Sequence, residues 1–429
     1  MSETPEATTP PHADGEPTDA EARLSVNQSV DLGEVSPARS RHAGRRSAVA
    51  LTDELVVVGT ADGAVRASDR STLAEQWHAG TDVNETAVVT AEPWRDGVIV
   101  GERGPEGALR YYDADSGDLR WRYATAADVG DAQKPSRFFF PFVVDVAAVG
   151  DRLYVAARRY ERDGERRSFE SVVSAFDPSG DVIWTHETDA SPIGLAADAD
   201  RVAVAYNRCP GDHQDGLVVL DAAAGDVRYA WDPGTDGQRR VGDVALLTDG
   251  VVVASHGDYR GYRLGADGEE RWRVDLGTPA TVDGETLYAY PNHVHASAGG
   301  VVFVTGNTYA EDGRETDSLH PREHTAFGYA PDGERAWTAS VGGFAGELGT
   351  DGRRVAVPGA QHFRTRDADV HGLRVFDATS GPVGSVTTDG VVTAAALDDD
   401  LVVAVEEPVV YHDEGEERGS YRLLLGRAD

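Results

Sequence analysis

A tandem repeat restricts the fold of this sequence more than any other feature. Six copies of one pattern, in which an apolar strand ends near Asp, a Gly turn follows and Trp comes next, occur along the 429 residues. The six copies are Asp69…Trp77, Asp113…Trp121, Asp177…Trp184, Asp221…Trp231, Asp267…Trp272 and Asp332…Trp337. A seventh copy, which begins at Phe376, lacks the Trp. The Asp residues of the seven copies are separated by 44, 64, 44, 46, 65 and 45 residues, so two intervals contain insertions. This period is typical of the four-stranded blades of a β-propeller.

The number of blades follows from the apolar segments that come after turn residues. Eight segments predict the second strand of each blade: Leu55–Gly59, Val98–Gly101, Leu153–Ala157, Val202–Tyr206, Val251–Ser255, Val301–Thr305, Val355–Val357 and Leu401–Val405. The last blade lacks its outermost strand, but residues 24–33 share a closing Val-Asp-Leu-Gly with the outer strand of residues 271–277. We therefore expect an all-β, eight-bladed β-propeller of four-stranded antiparallel blades, which the N-terminal strand closes. The alternative is a seven-bladed ring followed by an extra C-terminal hairpin.

Composition sets the domain organisation and excludes some partners. Residues 1–21 are predicted to be a disordered acidic tail, and residues 22–429 a single propeller domain. The chain carries 74 Asp and Glu residues against 40 Lys and Arg residues, with Lys134 as the single lysine, so its net charge is −34. This balance indicates a protein adapted to concentrated salt, where charge repulsion is screened. It disfavours nucleic acid as a partner, because nucleic-acid binding needs a basic surface. The sequence shows no membrane span and no leader segment, so we expect a cytoplasmic protein.

The repeat resembles the PQQ-like propeller repeat. The matching pattern is a strand, Gly-Thr-Ala-Asp-Gly, a second strand, and then Asp-x-x-x-Gly-x-x-x-Trp, and the resemblance covers about residues 23–427. That repeat occurs in quinoprotein alcohol dehydrogenases and in BamB, an outer-membrane assembly lipoprotein. The resemblance implies a propeller in which each Trp packs on the next blade. It implies little about function, because one fold hosts many activities.

The chemistry of the dehydrogenases does not transfer to this sequence. The resemblance implies a disulfide between adjacent cysteines beside the quinone and a calcium ion beside a catalytic Asp. Cys209 is the single cysteine, and no motif matches the calcium site. PQQ is therefore not expected. The remaining prediction is a non-enzymatic scaffold that binds a protein or a small ligand through its loop-rich face.

Histidines supply an alternative function, a divalent transition-metal site. Nine of the thirteen histidines are predicted on one face: His213, His256, His293, His295, His320, His324, His362, His371 and His412. In a strand, His293 and His295 project to the same side, and neutral imidazole is a common ligand for such metals. Asp243 and His256 are candidate neighbouring ligands. The alternative is that these histidines are solvated or structural, and that Asp243 bonds to neighbouring backbone.

An insertion at residues 131–146 is unusually aromatic. Phe138, Phe139, Phe140 and Phe142 lie close to Arg137 and Lys134 in a segment that leads to an inner strand. Exposed aromatic side chains of this number are costly, so we expect them to contact a partner or a ligand, or to cover the channel mouth. The alternative is a loop packed against the second and third blades.

Overall fold

The computed structural model describes residues 24–38, 46–81, 83–313, 316–362, 364–411 and 415–427. The predicted acidic tail, residues 1–21, lies outside these described residues. Nearly all regular structure in the described part is antiparallel β, as the repeats predict. Two short helical turns accompany it, α1 (Ala126–Val129) and a 3₁₀ turn (Ala368–Val370). Neither helical turn is long enough to cross a membrane.

The first strand of the chain, β1 (Ser25–Asp31), stands apart in sequence from the sheet to which it belongs. The first four blades follow it, each written from its inner to its outer strand. Blade 1 contains β2 (Ala48–Leu51), β3 (Leu55–Gly59), β4 (Val65–Asp69) and β5 (Glu75–Ala79). Blade 2 contains β6 (Ala87–Trp94), β7 (Gly97–Arg103), β8 (Ala108–Asp113) and β9 (Leu119–Ala124). Blade 3 contains β10 (Phe142–Val149), β11 (Arg152–Asp163), β12 (Arg166–Phe176) and β13 (Val182–Thr188), and blade 4 contains β14 (Ser191–Ala197), β15 (Arg201–Arg208), β16 (Leu217–Asp221) and β17 (Val227–Trp231).

The second four blades follow the same order. Blade 5 contains β18 (Val241–Leu247), β19 (Gly250–Ser255), β20 (Arg260–Gly265) and β21 (Glu270–Asp275). Blade 6 contains a short extra strand, β22 (Ala280–Val282), and then β23 (Glu285–Ser297), β24 (Gly300–Ala310), β25 (Thr325–Tyr329) and β26 (Arg335–Ser340). Blade 7 contains β27 (Gly349–Thr350), β28 (Arg354–Gly359), β29 (Gly372–Asp377) and β30 (Gly381–Thr387). Blade 8 contains β31 (Val391–Asp398), β32 (Leu401–Glu407), the side hairpin β33 (Val409–Val410) and β34 (Glu417–Arg418), and finally β35 (Arg422–Arg427).

These sheets are consistent with the eight blades that the sequence predicts. Within a blade, the second strand is buried on both faces: every residue of β3 and β19 is buried. Outer strands alternate between exposed and covered positions, as β21 does, because only one of their faces packs on a neighbouring blade. The core therefore consists of apolar layers between successive blades rather than one central cluster.

The N-terminal strand completes blade 8, as predicted. β1 pairs antiparallel with β35 from Ser25 opposite Arg427 to Asp31 opposite Arg422. The Leu of the shared Val-Asp-Leu-Gly motif has the same role in blades 8 and 5. Leu32 is buried and its N–H donates to Tyr421 O, while Leu276 is buried and its N–H donates to Tyr259 O. The inner strand β31 then contacts β2, so the first and last blades meet.

In five blades, a tryptophan of the outer strand packs on the next blade and donates a hydrogen bond to it. Five indole N–H groups donate to carbonyl oxygens of the following blade at 2.7–3.2 Å: Trp77 to Ala114, Trp121 to Pro178, Trp184 to Ala222, Trp272 to Pro331 and Trp337 to Ala378. Each ring also packs on the Gly of that blade's Asp-Gly turn. Gly225 shows why the repeat needs Gly there: its φ is +76°, and a Cβ atom would lie 2.6 Å from the Trp184 ring.

Three of the eight junctions that the described residues form depart from this rule, and two of them show what replaces the indole contact. Between blades 4 and 5, Tyr229 rather than Trp231 packs on the turn glycine, Gly268, while Trp231 contacts Tyr262. Between blades 8 and 1 the outer strand is β1, which has no Trp, and the turn position is Leu73, with φ +56°. Leu73 is buried with Leu32 and other apolar residues of blades 8 and 1. A leucine thus replaces the glycine at this junction, where no indole ring has to be accommodated.

Truncation tests the closure of the ring. We expect deletion of residues 1–21 to leave the thermal unfolding midpoint unchanged, and deletion of residues 1–35 to lower it sharply or to cause aggregation. The longer deletion removes β1 and exposes both the edge of β35 and the apolar residues below it. Thermal unfolding and size-exclusion chromatography in molar KCl measure the effect. Identical behaviour of the two truncations would show that β1 does not close the ring.

Substitution tests the blade junctions. We expect Trp184→Ala to lower the free energy of unfolding by about 3–5 kcal/mol, because a buried aromatic ring and its hydrogen bond are lost. Val227→Ala, on an exposed position of the neighbouring outer strand, should change it by less than about 0.5 kcal/mol. Denaturant unfolding of both variants gives the two values. A Trp184→Ala change as small as that of the control would contradict the docking role of the indole.

Candidate functional site at the mouth of the central channel

The inner strands of the blades surround a cavity of about 1010 Å³. One end of the cavity, which we call the loop end, is formed by the last residue of β7, the first residue of β10, the residues before β18, and the loops of blades 6 and 7. At its other end lie the turns that join inner strands to second strands, including Asp53 and Asp398. A cavity of this volume has the size of small-molecule sites in proteins.

Six inner strands carry a β-bulge at an equivalent position of their pairing with the second strand, and all the residues that follow these bulges, except Ala394, line the cavity; we call the six residues the post-bulge ring. These residues are Thr90, Asp145, Gly194, Asp243, His293 and Ala394. A bulge bends a strand and redirects the side chain that follows it. In this ring Asp145 Oδ2 accepts a hydrogen bond of 2.9 Å from Leu195 N of the next blade, and Asp243 Oδ2 accepts one of 2.9 Å from Val294 N. The ring therefore ties neighbouring inner strands together.

Two of the predicted metal ligands, Asp243 and His293, belong to this ring. Asp243 uses its other oxygen for Val244 N, at 2.8 Å. The Nε2–H of His293 donates to Ala345 O at 3.0 Å, and its Nδ1 lies 3.8 Å from Asp243 Oδ2. His295 Nε2–H donates to Gly352 O at 3.2 Å, and its Nδ1 lies 3.1 Å from Thr350 Oγ1. Backbone groups thus engage each of these side chains, which favours the structural alternative for them. Metal binding by these residues stays a prediction.

His256, the fourth predicted ligand, forms part of the cavity wall. Its Nδ1 lies 3.3 Å from Asn207 Oδ1, and its ring lies 4.7 Å from the Tyr290 ring. Burial, together with the charge of Arg239, lowers the pKa of His256 well below its usual value. The imidazole is therefore neutral at pH 7.

Arginine and aromatic side chains alternate around the loop end of the cavity. The guanidinium groups of Arg103 and Arg158 lie 4.9 and 5.4 Å from the Phe142 ring centre. The guanidinium group of Arg239 lies 4.6 Å from the Tyr290 ring centre. These are cation–π distances. We call this set, completed by Phe138, Tyr309 and Phe344, the arginine–aromatic mouth.

The aromatic insertion is divided between packing and exposure. Phe140 and Phe142 are buried, and Phe139 stacks on Tyr160 of the long blade 3 hairpin with ring centres 5.5 Å apart. Phe138 lines the cavity and is 46% exposed, so its ring is accessible to the partner or ligand that is predicted to contact this segment.

The carbonyl oxygen of Arg137 accepts a hydrogen bond from Arg103 Nε. Burial and the nearby charge of Arg46 lower the pKa of the Arg137 guanidinium. Contact of these residues with a partner or ligand stays a prediction.

Below the mouth, the channel wall holds a half-buried carboxyl group. Glu92 lies on β6, two residues beyond Thr90, and lines the cavity. Burial raises the pKa of Glu92 to about 7, and the charge of Asp145 adds to this effect. The channel wall therefore changes charge close to neutral pH.

A second cluster lies beside the mouth, in the loops of blades 6 and 7. Among the described residues, Glu323, His324 and His362 are the three potential metal ligands whose donor atoms converge, all within 4.8 Å of one another. His324 Nε2 and His362 Nε2 each lie 3.7 Å from Glu323 Oε1. Asn307, which lines the cavity, accepts a hydrogen bond of 2.8 Å from His324 Nε2 at Oδ1. Both histidines were predicted on the loop face, but their convergence with Glu323 was not. The adjacent Glu323 and His324, in the second long repeat interval, were the available signal.

Comparison with known proteins places the chain in a family. The family model described as outer membrane protein assembly factor BamB, named PQQ_2, matches residues 37–161 and 169–308. This is more than half of the sequence, and the chain belongs to this family of PQQ-like propellers. The predicted resemblance is therefore confirmed.

Relatives and solved structures share parts of this architecture. A quinohemoprotein alcohol dehydrogenase of Comamonas testosteroni is 26% identical over 212 residues, 43% of this chain and 29% of that protein. The ADH IIB enzyme of Pseudomonas putida is 27% identical over 193 residues, 39% and 26%. The chain thus matches less than a third of either dehydrogenase. The structure of BamB from Moraxella catarrhalis superposes with a TM-score of 0.56 at 15% identity, covering 94% of this chain and 99% of that one. The dehydrogenase ADHIIG of Pseudomonas putida HK5 superposes with a TM-score of 0.60 at 12% identity, covering 94% and 76%.

The pH dependence of stability tests the environment of Glu92. An unfolded chain loses the Glu92 proton near pH 4.5, whereas the folded chain keeps it until about pH 7. The group therefore lowers stability progressively as the pH rises from 4.5 to 7, and Glu92→Gln removes this loss. We expect the variant to unfold with nearly wild-type free energy near pH 4.5, and to be on the order of 2–3 kcal/mol more stable at pH 8. Denaturant unfolding at both pH values gives the difference, and Glu75→Gln, on an exposed position of β5, is the control. A gain that is equal at the two pH values would contradict a raised pKa.

Proposed function

We propose that this propeller is a binding protein that holds a small anionic ligand with an aromatic or apolar portion at its arginine–aromatic mouth. The observation that carries the proposal is the concentration of Arg103, Arg158 and Arg239 among aromatic rings at one end of a ligand-sized cavity. Guanidinium groups pair with carboxylate, sulfonate and phosphate groups, and the rings supply apolar contact.

The charge of the whole chain makes this concentration unusual. A chain of net charge −34 with scattered arginines repels anions. At this cavity the arginines lie at the loop end, while Asp53 and Asp398 lie at the turns of the opposite end. Asp145 and Asp243, between these ends, accept hydrogen bonds from backbone N–H groups. An anion entering from the loop side therefore meets these three arginines before the carboxylates of the opposite end.

Quinone chemistry does not fit the residues of this chain. The resemblance to quinoprotein dehydrogenases implies a disulfide between adjacent cysteines, and this sequence holds one cysteine, Cys209. Cys209 is buried, its Sγ lies 3.7 Å from Asp215 O, and burial raises the pKa of its thiol. We derive no oxidation step from this site. A non-enzymatic role and a cytoplasmic location stay predictions.

A protein partner is the second candidate occupant of the loop face. The exposed Phe138 ring at the rim favours it, because single large aromatic side chains often anchor protein interfaces. The matching family is also described as an assembly factor. A peptide that presents an acidic group beside an aromatic ring would use the same arginines.

Binding of 8-anilinonaphthalene-1-sulfonate, a fluorescent aromatic anion, tests the mouth. We expect saturable binding to the folded wild-type chain in molar KCl, and affinity at least about tenfold lower in the double variant Arg103→Gln/Arg239→Gln. Fluorescence titration gives the affinity, and isothermal titration calorimetry gives the stoichiometry.

The matched control removes two arginines elsewhere. Arg228 and Arg271 lie on outer strands, where they pair with Asp221 and Glu269. The variant Arg228→Gln/Arg271→Gln changes the net charge equally and should bind the probe as the wild type does. Equal probe affinity in the mouth variant and the control, or binding that does not saturate, would exclude the mouth as the site.

A further inference from the structure

We propose that Glu323, His324 and His362 bind a divalent transition-metal ion of the zinc class beside the channel mouth. The proposal does not depend on the ligand proposed for the mouth. It rests on three donor atoms that two neighbouring blades bring together. Glu323 and His324 precede β25 of blade 6, and His362 follows β28 of blade 7.

The spacing of the donor atoms is the first argument. Both imidazole Nε2 atoms lie 3.7 Å from the same carboxylate oxygen, Glu323 Oε1. This distance is too long for a hydrogen bond. It is close to the separation between two ligands of one tetrahedral ion, because metal–nitrogen and metal–oxygen bonds of about 2.0–2.2 Å place neighbouring ligands about 3.3–3.6 Å apart.

Other buried carboxylates in the described part of the chain behave differently. Glu102 Oε1 lies 2.7 Å from Arg110 Nε. Glu406 Oε2 accepts a hydrogen bond of 2.6 Å from Arg422 Nε. Glu407 Oε1 accepts one of 2.9 Å from Ser47 Oγ. In these cases the cationic or polar partner closes to hydrogen-bond distance. In the Glu323 cluster the two imidazole nitrogens do not, which leaves space between three donors.

The chemistry of the donors is the second argument. Two imidazoles and one carboxylate are the ligand types that zinc and similar ions take, and both histidine side chains are almost fully buried.

The surroundings of the donors fix their positions. Glu323 Oε2 accepts a hydrogen bond from Thr308 Oγ1. The rings of His324 and His362 meet edge to face, with centres 4.8 Å apart. The backbone of His324 has φ +44°, a left-handed conformation that is uncommon for a residue with a side chain and is frequent at functional sites.

Asn307 connects the cluster to the cavity. The Nε2–H of His324 donates to Asn307 Oδ1 at 2.8 Å, so an ion bound at Nε2 would displace this proton, and Asn307 also lines the channel mouth. Its amide oxygen is the nearest candidate for a fourth ligand. An ion held here would lie one side chain away from the cavity.

Metal analysis of the full-length chain tests the site. The protein is purified without an affinity tag, dialysed against Zn²⁺ in molar KCl and freed of excess metal, and the bound zinc is measured by mass spectrometry. Replacement by Co²⁺ gives an absorption spectrum that reports the ligand geometry. The variants are Glu323→Gln and His362→Gln, which keep side-chain size, and circular dichroism confirms that each is folded.

The expected result is one zinc ion per wild-type chain, and zinc affinity lowered by more than about 100-fold in both variants, since loss of supporting groups alone costs 10–100-fold. Zinc should also raise the thermal unfolding midpoint of the wild type but not of Glu323→Gln.

The double variant His293→Ala/His295→Ala serves as the control and should keep its zinc. Absence of stoichiometric zinc from the folded wild type would overturn the proposal, as would equal retention by Glu323→Gln. Loss of zinc in His293→Ala/His295→Ala alone would place the metal on the channel wall instead.

Discussion

Aromatic rings that rest on turn glycines hold successive blades of this ring together, and the rest of the structure depends on that contact. A blade of four twisted strands has two apolar faces, which only its neighbours cover. The indole of Trp184 reaches across the junction, packs on Gly225 and donates to Ala222 O at 3.1 Å. The contact fixes both the distance and the rotation between blades, because the glycine position admits no Cβ and the carbonyl accepts from one direction.

The junction between blades 8 and 1 shows how two blades pack when the outer strand carries no indole ring. Its outer strand, β1, comes from the other end of the chain and carries no indole. The turn that faces it holds Leu73 in the left-handed conformation that glycine has in other turns. A leucine at φ +56° costs roughly 1–2 kcal/mol of backbone energy, which the buried contact with blade 8 offsets. The ring therefore closes by apolar packing where indole docking is absent.

Much of this architecture could be predicted from the sequence, since its causes are local. The predicted second strand Leu55–Gly59 coincides with β3, and the motif shared by residues 24–33 and 271–277 identified the closing strand. The proximity of Asp243 to His293 was predicted, and His293 Nδ1 lies 3.8 Å from Asp243 Oδ2. The roles of these side chains could not be predicted. Whether Asp243 binds a metal or Val294 N depends on a distance between two blades, and sequence spacing holds no information about it.

The site was harder to predict because desolvation and convergence are properties of three-dimensional packing. In a chain with 74 acidic residues, nothing in the sequence distinguishes Glu92 or Glu323 from the others. Burial among inner strands raises the pKa of Glu92, and the meeting of two loops gives Glu323 its two imidazole neighbours. The number of histidines on the loop face indicated a metal site there. The sequence could not show which of them converge, because Glu323 and His324 come from one blade and His362 from the next.

The two long repeat intervals explain where these features lie. One interval contains the aromatic segment and the extended hairpin β11–β12 that supports Phe139, and the other contains β22 and the loop that carries Glu323 and His324. Blades that keep the standard period contribute single side chains to the candidate site, such as Arg103, Arg239 and His362. The insertions belong to blades 3 and 6, and each contributes a whole segment to it. The departures from the period therefore supply the parts of the site that a regular propeller repeat does not have.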